Sequence, residues 1–363
     1  MGVSCAQIQS QFPDLLQFVA GNKEAVAQLP SSVESLLPNS VVFVPKADSF
    51  VRALESHVAI IVTHESVAEH ATSHSLGDKA VFSTKNVYFT LSQVCSKLFP
   101  VLTDTTSAGS DIHPSAVIGK HVTLGEGVTV GPHSVIGDHV VIGTHSRIGA
   151  NTTIESGAIL GAWCHIHSNV YVSGYVTAGD RCEIKPQSAI GTEGFGFAPD
   201  SKGLHHRIPH YGRLILGDDV SIGSNVNIDR GTFDSVKVGS GTKIDNHCHI
   251  AHNNNLGENC LLTAGFISAG STNIGDRCAF GGRSSVNGHI NITNDCVFSY
   301  PTTVHNDVNK PGQYGGFPLM SRVESIKTYA AFSHLPKIKR TVSRIAKHLG
   351  LDEDGQNIAG DSQ

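Results

Sequence analysis

The sequence predicts a mainly β protein: a left-handed parallel β-helix, with a small α/β domain before it and an α-helical tail after it. The β-helix is predicted from an apolar residue that recurs at nearly every sixth position from Ile112 to Ile190, resumes at Leu216, and runs on from Val238 to Phe298. The composition agrees, because 38 glycines and only 16% charged residues are typical of turn-rich repeats. The segments on either side lack this spacing, which predicts separate units there.

Each six-residue unit should form one short strand and one turn. Three units then make a triangular coil, and stacked coils bury the aliphatic residues in a continuous core. Such coils wind left-handed, against the usual crossover preference. We expect about nine coils within residues 106–310. The length of residues 192–213 does not fit the repeat, so this segment should loop out as an insertion.

The cysteines of the repeat are expected to be core residues rather than metal ligands. They share the fifth position of their units, which faces inward and suits a small apolar group such as a thiol. The chain has no CxxC pair, which also argues against a metal or redox site. The residues concerned are Cys164, Cys182, Cys248, Cys260, Cys278 and Cys296.

Residues 1–105 are predicted to form the α/β domain. The stretches "SVVFVPK" and "HVAIIVT" are typical of strands, and "TLSQVCSKLF" is typical of an amphipathic helix. The stretch "TDTTSAGSD" has the composition of a linker. Residues 311–363 are predicted to form the tail.

The tail is basic although the whole chain carries a net charge of -5. Between residues 319 and 349, seven lysines and arginines accompany the single acid Glu324. This pattern fits either a solvated face or a docking surface for an acidic partner.

Several classes of protein are disfavoured. The net charge of -5 argues against nucleic acid binding. The sequence has no apolar run of 18 residues, and its first residues lack the features of a secretory signal. We therefore expect a cytoplasmic protein without a transmembrane segment.

The stretch "IDNHCHIAHN", residues 244–253, places histidines in register with glycines. His252 is the third residue of its unit, and Gly270 and Gly288 take the same position one and two coils later. Strands in neighbouring coils lie about 4.8 Å apart. His252 and Gly270 should therefore be neighbours, with His289 about 10 Å from His252 on the same edge.

Three interpretations of this cluster remain open from the spacing. An imidazole can accept a proton near neutral pH, and a glycine lets a backbone N–H approach an oxyanion, which together suit acyl transfer. Alternatively, His247 and His249 could bind zinc, with His252 or a neighbouring subunit completing the site. Since the chain has 21 histidines, solvated surface groups are the third interpretation.

The chain closely resembles the UDP-3-O-(3-hydroxyacyl)glucosamine N-acyltransferases of lipid A biosynthesis. The resemblance lies in "IGSNVNIDRGTFDSVKVGSGTKIDNHCHIAHN", in "GTEGFGFAPD" before it, and in "GGRSSVNGHI" and "PGQYGGFPL" after it. It implies a uridine-binding N-terminal domain, a β-helix, a helical tail and a cytoplasmic homotrimer of Gram-negative bacterial type. It also implies transfer of a (3R)-3-hydroxyacyl group from acyl carrier protein to the 2-amino group of UDP-3-O-(3-hydroxyacyl)glucosamine, without a metal or other cofactor.

The resemblance assigns catalytic roles by motif. His252 in "IAHN" matches the general base, and Gly270 in "SAGS" matches the residue whose N–H binds the oxyanion. His289 in "NGHI" matches a second histidine that assists substrate binding. The acidic partner of His252 is open among Asp229, Asp234 and Asp245.

Further residues are assigned to substrate binding in the first domain. Phe43 in "VVFVPK" matches an aromatic residue that stacks on uracil, while Lys46 stands near the place of a family asparagine. Asn86 and Tyr88 in "KNVY" resemble the family's "NPY".

The basic tail is expected to contact the acidic acyl carrier protein. The carrier-binding residues on this interpretation are Lys337, Lys339, Arg340 and Arg344.

Two other functions are weighed against this one. An O-acyltransferase acting on UDP-N-acetylglucosamine is disfavoured, because such enzymes lack an N-terminal domain of this kind. A trimeric zinc protein resembling a β-helical carbonic anhydrase would instead use interface histidines as ligands.

Overall fold

The computed structural model describes residues 2–69, 71, 75–99, 112–315 and 322–349. The chain divides into two units, Met1–Thr105 and Thr106–Gln363. None of the helices in these described ranges has the length and apolar character that a membrane span requires.

The first unit contains a five-stranded sheet with helices on both faces. The strands expected in "SVVFVPK" and "HVAIIVT" are confirmed as Ser40–Val44 and Ile60–His64, which pair in parallel. Every residue of Ser40–Val44 is buried, since its alternating side chains enter apolar clusters on opposite faces. Across the sheet the strands run in the order Gln17–Gly21, Ala80–Thr84, Ile60–His64, Ser40–Val44 and Leu29–Ser31.

Four helices and a small two-stranded sheet, Val3–Ser4 with Val26–Ala27, complete the described part of this unit. The helix expected in "TLSQVCSKLF" is confirmed, but it begins earlier. It starts at Val87 because the Asn86 side chain caps it, accepting a hydrogen bond from the Phe89 N–H at 3.0 Å. The helices are Cys5–Gln11, Ala47–Glu55, Glu65–Ala68 and Val87–Leu98.

The second unit is a parallel β-helix, which confirms the fold class. Its three sheets contain ten, nine and ten strands, close to the nine coils expected. We call these sheets the first, second and third face. The first face consists of Val117–Ile118, Val135–Ile136, Thr153–Ile154, Tyr171–Val172, Ala189–Thr192, Asn227–Asp229, His249–Ile250, Ile267–Ser268, Ser285–Val286 and Thr303–Val304.

The second face consists of Thr123–Leu124, Val141–Ile142, Ile159–Leu160, Val176–Ala178, Arg213–Leu216, Ser235–Val238, Asn255–Leu256, Asn273–Ile274 and Asn291–Ile292. The third face consists of Thr129–Val130, Arg147–Ile148, His165–Ile166, Glu183–Ile184, Ser221–Ile222, Lys243–Ile244, Leu261–Leu262, Ala279–Phe280, Cys296–Phe298 and Gly312–Tyr314.

Side chains alternate between the core and the surface along each short strand. In Arg147–Ile148, for example, the arginine is exposed and the isoleucine is buried. All six cysteines of the repeat are buried and free, which confirms that they are core residues. Burial raises the pKa of the Cys248 thiol to about 11, so it remains a protonated, apolar group.

The fourth position of most units forms the corner and adopts a left-handed backbone conformation. His247, Asn253, Ser271 and His289 have φ values of 59°, 60°, 63° and 61°. Asparagine and histidine tolerate this region better than most residues other than glycine. His247 therefore lies in the turn before the strand His249–Ile250.

The predicted insertion begins after the strand Ala189–Thr192 of the first face and leads into the second face. It contains an antiparallel hairpin formed by Phe197–Pro199 and His205–Arg207, and it ends at the strand Arg213–Leu216.

The β-helix extends to Tyr314, four residues beyond the boundary expected at residue 310. Gly312–Tyr314 pairs with Cys296–Phe298, and the Tyr314 ring stacks on Phe298 with centroids 5.4 Å apart. The tail contains the helices Arg322–Phe332 and Leu335–Leu349. No side chain of the second helix is buried.

Candidate active site

His252, Gly270 and Gly288 occupy equivalent places on three successive coils. The register pairs Ile250 with Ser268, and Ser268 with Val286, each two residues before them. The backbone ladder continues around the corner, where Ser271 N–H donates to His252 O at 3.0 Å. His289 N–H donates to Gly270 O at 3.2 Å. The stacking predicted from the spacing is thus present.

The imidazole of His252 lies over the backbone of Gly270. A Cβ atom added to Gly270 would lie 2.7 Å from His252 Cε1 and 3.0 Å from Nε2. A side chain at residue 270 would therefore displace the imidazole. The predicted catalytic roles of the two residues go beyond this geometry and remain predictions at this point.

A second imidazole, which the sequence did not reveal, contacts His252. His210 comes from the insertion, is only 3% exposed, and has its ring centroid 5.4 Å from that of His252. His210 Nε2 and His252 Nδ1 are both buried, and neither has a hydrogen-bond partner among the described residues. Buried ring nitrogens without partners are costly, so their presence indicates a functional constraint.

His210 favours its neutral form. Burial lowers the pKa of His210, and the nearby His252 lowers it further. His210 Nδ1 lies 3.1 Å from Ile208 O, a carbonyl that can only accept. The hydrogen is therefore on Nδ1, which leaves Nε2 of the neutral ring as an acceptor.

Asp229 is a buried acidic residue whose charge interacts with these histidines. It is 5% exposed, and burial raises its pKa, while His249, His252 and His210 act in the opposite direction. Its Oδ2 lies 3.9 Å from His249 Nε2, and Thr192 Oγ1 donates to its Oδ1 at 3.3 Å.

The other two acids considered as partners of His252 have different surroundings. Asp245 accepts hydrogen bonds from the backbone N–H groups of Asn246 and Ala264. Asp234 is exposed. Asp229 is therefore the best candidate.

Arg230 holds the insertion in place beside His252. Its Nε donates to His210 O at 3.0 Å, its Nη1 donates to Gly191 O at 3.2 Å, and its Nη2 lies 2.8 Å from Glu193 Oε1. Glu193 also pairs with Arg207 of the hairpin. One guanidinium therefore ties the beginning and the end of the insertion together.

Gly194 brings the insertion against both imidazoles. A Cβ atom on Gly194 would lie 2.8 Å from His252 Cβ and 3.0 Å from His210 Nε2. The motifs "GTEGFGFAPD" and "IDRG" contain Gly194 and Arg230, so the signal was visible in the sequence. Their contact with His252 could not be inferred, because the insertion does not follow the repeat.

His289 lies on the same edge, one residue beyond the column of His252. It occupies the corner position that Ser271 and Asn253 occupy on the preceding coils. Its side chain is exposed, so it is accessible to a substrate. Its predicted binding role stays a prediction.

The first unit contains a cavity of about 680 Å³ that includes one of the three residues predicted to bind uridine. Asn86 lines it, together with the aromatic side chains of Phe18 and Phe89. Phe43 is only 7% exposed because its ring packs in the core, and Tyr88 is 71% exposed outside the cavity lining. Phe18 lines this cavity and offers an aromatic ring there, while the uracil-stacking role of Phe43 stays a prediction.

The residues predicted to bind the carrier lie together on the helix Leu335–Leu349. All are exposed, and this helix contains no acidic residue. The residues are Lys337, Lys339, Arg340 and Arg344.

Two solved structures are similar to part of this chain. LpxA from Acinetobacter baumannii is 22% identical, with 61% of this chain and 78% of that chain covered and a TM-score of 0.42. A UDP-N-acetylglucosamine acyltransferase from Arabidopsis is 23% identical, with 56% and 69% covered and a TM-score of 0.46.

Residues 139–174 match the family described as bacterial transferase hexapeptide (six repeats). UDP-3-O-acylglucosamine N-acyltransferase from Methylococcus capsulatus is 32% identical over 169 residues, which span 47% of this chain and 48% of that protein. The protein of the same name from Coxiella burnetii is 41% identical over 246 residues, which span 68% of each. On this similarity, the chain belongs to the UDP-3-O-acylglucosamine N-acyltransferase family.

Proposed function

We propose that this protein transfers a (3R)-3-hydroxyacyl group from acyl carrier protein to the 2-amino group of UDP-3-O-(3-hydroxyacyl)glucosamine. The observation that carries the proposal is the imidazole of His252 over the bare backbone of Gly270, in a chain of this family. The names of the relatives supply the acceptor class. We further propose that the protein acts as a cytoplasmic homotrimer.

His252 acts as the general base in this reaction. It removes a proton from the acceptor amine as the nitrogen attacks the thioester carbonyl, and a tetrahedral intermediate forms. When the C–S bond breaks, the carrier's thiolate leaves and takes up the proton that His252 received. Atoms and charge balance in these steps, and we propose that they proceed without a metal or other cofactor.

Gly270 stabilises the oxyanion of the intermediate. Its N–H has no backbone acceptor in the described part of the chain, so it is available to a substrate oxygen. A preorganised donor of this kind contributes about 3 kcal/mol to the stability of a transition state. The absence of a side chain at Gly270 lets the carbonyl approach.

His210 and Asp229 set the charge around His252. A neutral His210 does not repel the imidazolium that His252 becomes, and burial favours this neutral form. Asp229 faces the same imidazoles and stabilises the positive charge when His252 is protonated. Both act as positioning residues, because neither is assigned a contact with the reacting atoms.

The basic helix Leu335–Leu349 binds the acidic carrier protein. Complementary charges raise the rate at which two proteins meet. Lys337, Lys339, Arg340 and Arg344 are exposed and can contact a partner.

Mass-spectrometric detection of the amide product tests the proposal. The protein would be incubated with UDP-3-O-acylglucosamine and a panel of 3-hydroxyacyl carrier proteins, and we expect product with at least one donor. His252→Ala should lower the rate by about 10²-fold or more, as expected for loss of a general base.

A matched control is His139→Gln, since His139 stacks on His121 at another corner and should leave the rate unchanged. UDP-N-acetylglucosamine should give no amide product, because its 2-nitrogen is already acylated. Absence of product with every donor, from folded protein, would contradict the proposed function.

A further inference from the structure

A second group of titratable side chains lies on the third face, on coils that precede the coil of His252. His165 and His167 are two residues apart, and both project outward around the buried Ile166. Glu183 is paired with His165 in the register, one coil further on. The potential ligand atoms of His165, His167 and Glu183 all lie within 4.8 Å of one another.

Contacts within the group bring these atoms to one point. His167 Nε2 lies 3.0 Å from Glu183 Oε1, and the two imidazoles stack with centroids 3.9 Å apart. Ser221 Oγ donates to the other carboxylate oxygen, Glu183 Oε2, at 3.3 Å. The hydrogen bond from His167 lowers the pKa of Glu183, so the carboxylate is ionised at neutral pH.

We propose that His165, His167 and Glu183 form a binding site for a divalent transition-metal ion of the zinc type. Two imidazoles and one carboxylate are a known zinc ligand set, with water in the fourth position. Imidazole nitrogens favour zinc over calcium or magnesium, which prefer oxygen ligands. The ion takes the place of the hydrogen between His167 Nε2 and Glu183 Oε1, and both atoms become ligands.

The surroundings favour access by an ion and fix its ligands. The side chains of His167 and Glu183 are partly exposed, so an ion can reach them from solvent. Ser221 orients the carboxylate from outside the ligand set, as residues around metal sites commonly do. In the described part of the chain, His165, His167 and Glu183 are the only such group of three; His247 and His249 do not belong to one.

Positively charged side chains near the group weaken the binding of a cation. Removing one of them therefore tests whether the group binds a cation or an anion. Arg147 is paired with His165 in the register, and both line a cavity of about 320 Å³. Lys185 also acts on Glu183 and lowers its pKa. Replacing Arg147 by glutamine should therefore strengthen the binding of a cation and weaken the binding of an anion.

Calorimetric titration of the protein without a histidine tag, using Zn²⁺, tests the proposal. We expect one ion per chain, and Co²⁺ should give the visible absorption of a four-coordinate site. Glu183→Gln should weaken Zn²⁺ binding by more than about tenfold, since a carboxylate ligand is lost. Arg147→Gln should strengthen it.

The matched control is again His139→Gln, which removes an imidazole from a stacked pair outside this group and should leave Zn²⁺ binding unchanged. Circular dichroism would establish that each variant is folded. Absence of Zn²⁺ binding, or binding that Glu183→Gln leaves unchanged, would overturn the proposal. Weaker binding in Arg147→Gln would overturn it as well. None of these measurements depends on acyl transfer.

Discussion

Two groups of histidines on the same β-helix have different surroundings because of the residue that follows 18 positions later. Gly270 follows His252 by this interval, whereas Glu183 follows His165. In both cases the later residue lies directly beside the histidine on the next coil. A glycine leaves the imidazole over bare backbone, while a glutamate supplies a hydrogen-bonding carboxylate.

The two groups also differ in how their polar atoms are satisfied. His167 is bonded to Glu183, whose second oxygen accepts from Ser221. In contrast, His252 Nδ1 and His210 Nε2 are buried without partners among the described residues. Under our proposals, the first group binds an ion and the second contains the base that transfers a proton. The repeat therefore provides positions, and the neighbour on the next coil determines the chemistry.

Filling the space under His252 should have the largest effect. Gly270→Ala places a methyl group 2.7 Å from His252 Cε1, so the imidazole must move. Displacing a catalytic group by about 1 Å costs about 10²-fold in rate, and we expect a loss of kcat/KM of this size. Steady-state kinetics measure it.

Gly282→Ala is the matched control, because Gly282 is also a third-position residue but its added Cβ has no neighbour closer than 3.4 Å. Its kcat/KM should remain near the wild-type value. Equal losses of kcat/KM in the two variants would show that activity does not depend on the contact between Gly270 and His252.

Removing the ring nitrogens of His210 should have an intermediate effect. His210→Phe keeps a buried ring, so we expect kcat to fall by about tenfold, with KM for the acceptor nearly unchanged. His210→Gln, which keeps a polar group, should lose less activity. An unchanged kcat in His210→Phe would remove His210 from the mechanism.

The same two variants should alter the dependence of stability on pH. The pKa of His210 is lowered in the folded protein, while an unfolded histidine titrates near 6.5. Between these values the unfolded chain binds more protons, so stability falls as the pH decreases below about 6.5. Comparing Tm at about pH 8 and about pH 5.5 should show a smaller loss in the variants than in the wild type.

Reversing the charge of the tail should have the smallest effect on catalysis. It should change the KM for the carrier substrate but not the binding of Zn²⁺ to the other histidine group. Replacing Lys337, Lys339, Arg340 and Arg344 by glutamate should raise KM for the carrier substrate by about threefold at low ionic strength. Added salt should reduce the difference, since it screens exposed charges. Zn²⁺ affinity should not change.

Lys120→Glu is the control for a general effect of charge, because Lys120 is exposed in the β-helix, outside the tail. It should leave KM for the carrier unchanged. A KM that the fourfold reversal does not alter would show that the carrier binds elsewhere.

The repeat made much of the site predictable. Residues 18 apart lie side by side wherever the six-residue spacing is unbroken, so the contact of His252 with Gly270 and the burial of the six cysteines followed from counting. Counting failed at the corners. The spacing gives the register of His247 but not the left-handed turn in which it lies.

The sequence by itself determined the β-helix, its core and the neighbours of each histidine on the next coil, because each depends only on a constant interval along the chain. The tertiary structure decided the placement of His210, which reaches His252 through an insertion held by Arg230. It also decided the burial of Phe43, whose ring packs in the core of the first unit. Such contacts depend on the path of a non-repeating segment and on packing against distant residues, and no local interval in the sequence specifies either of them.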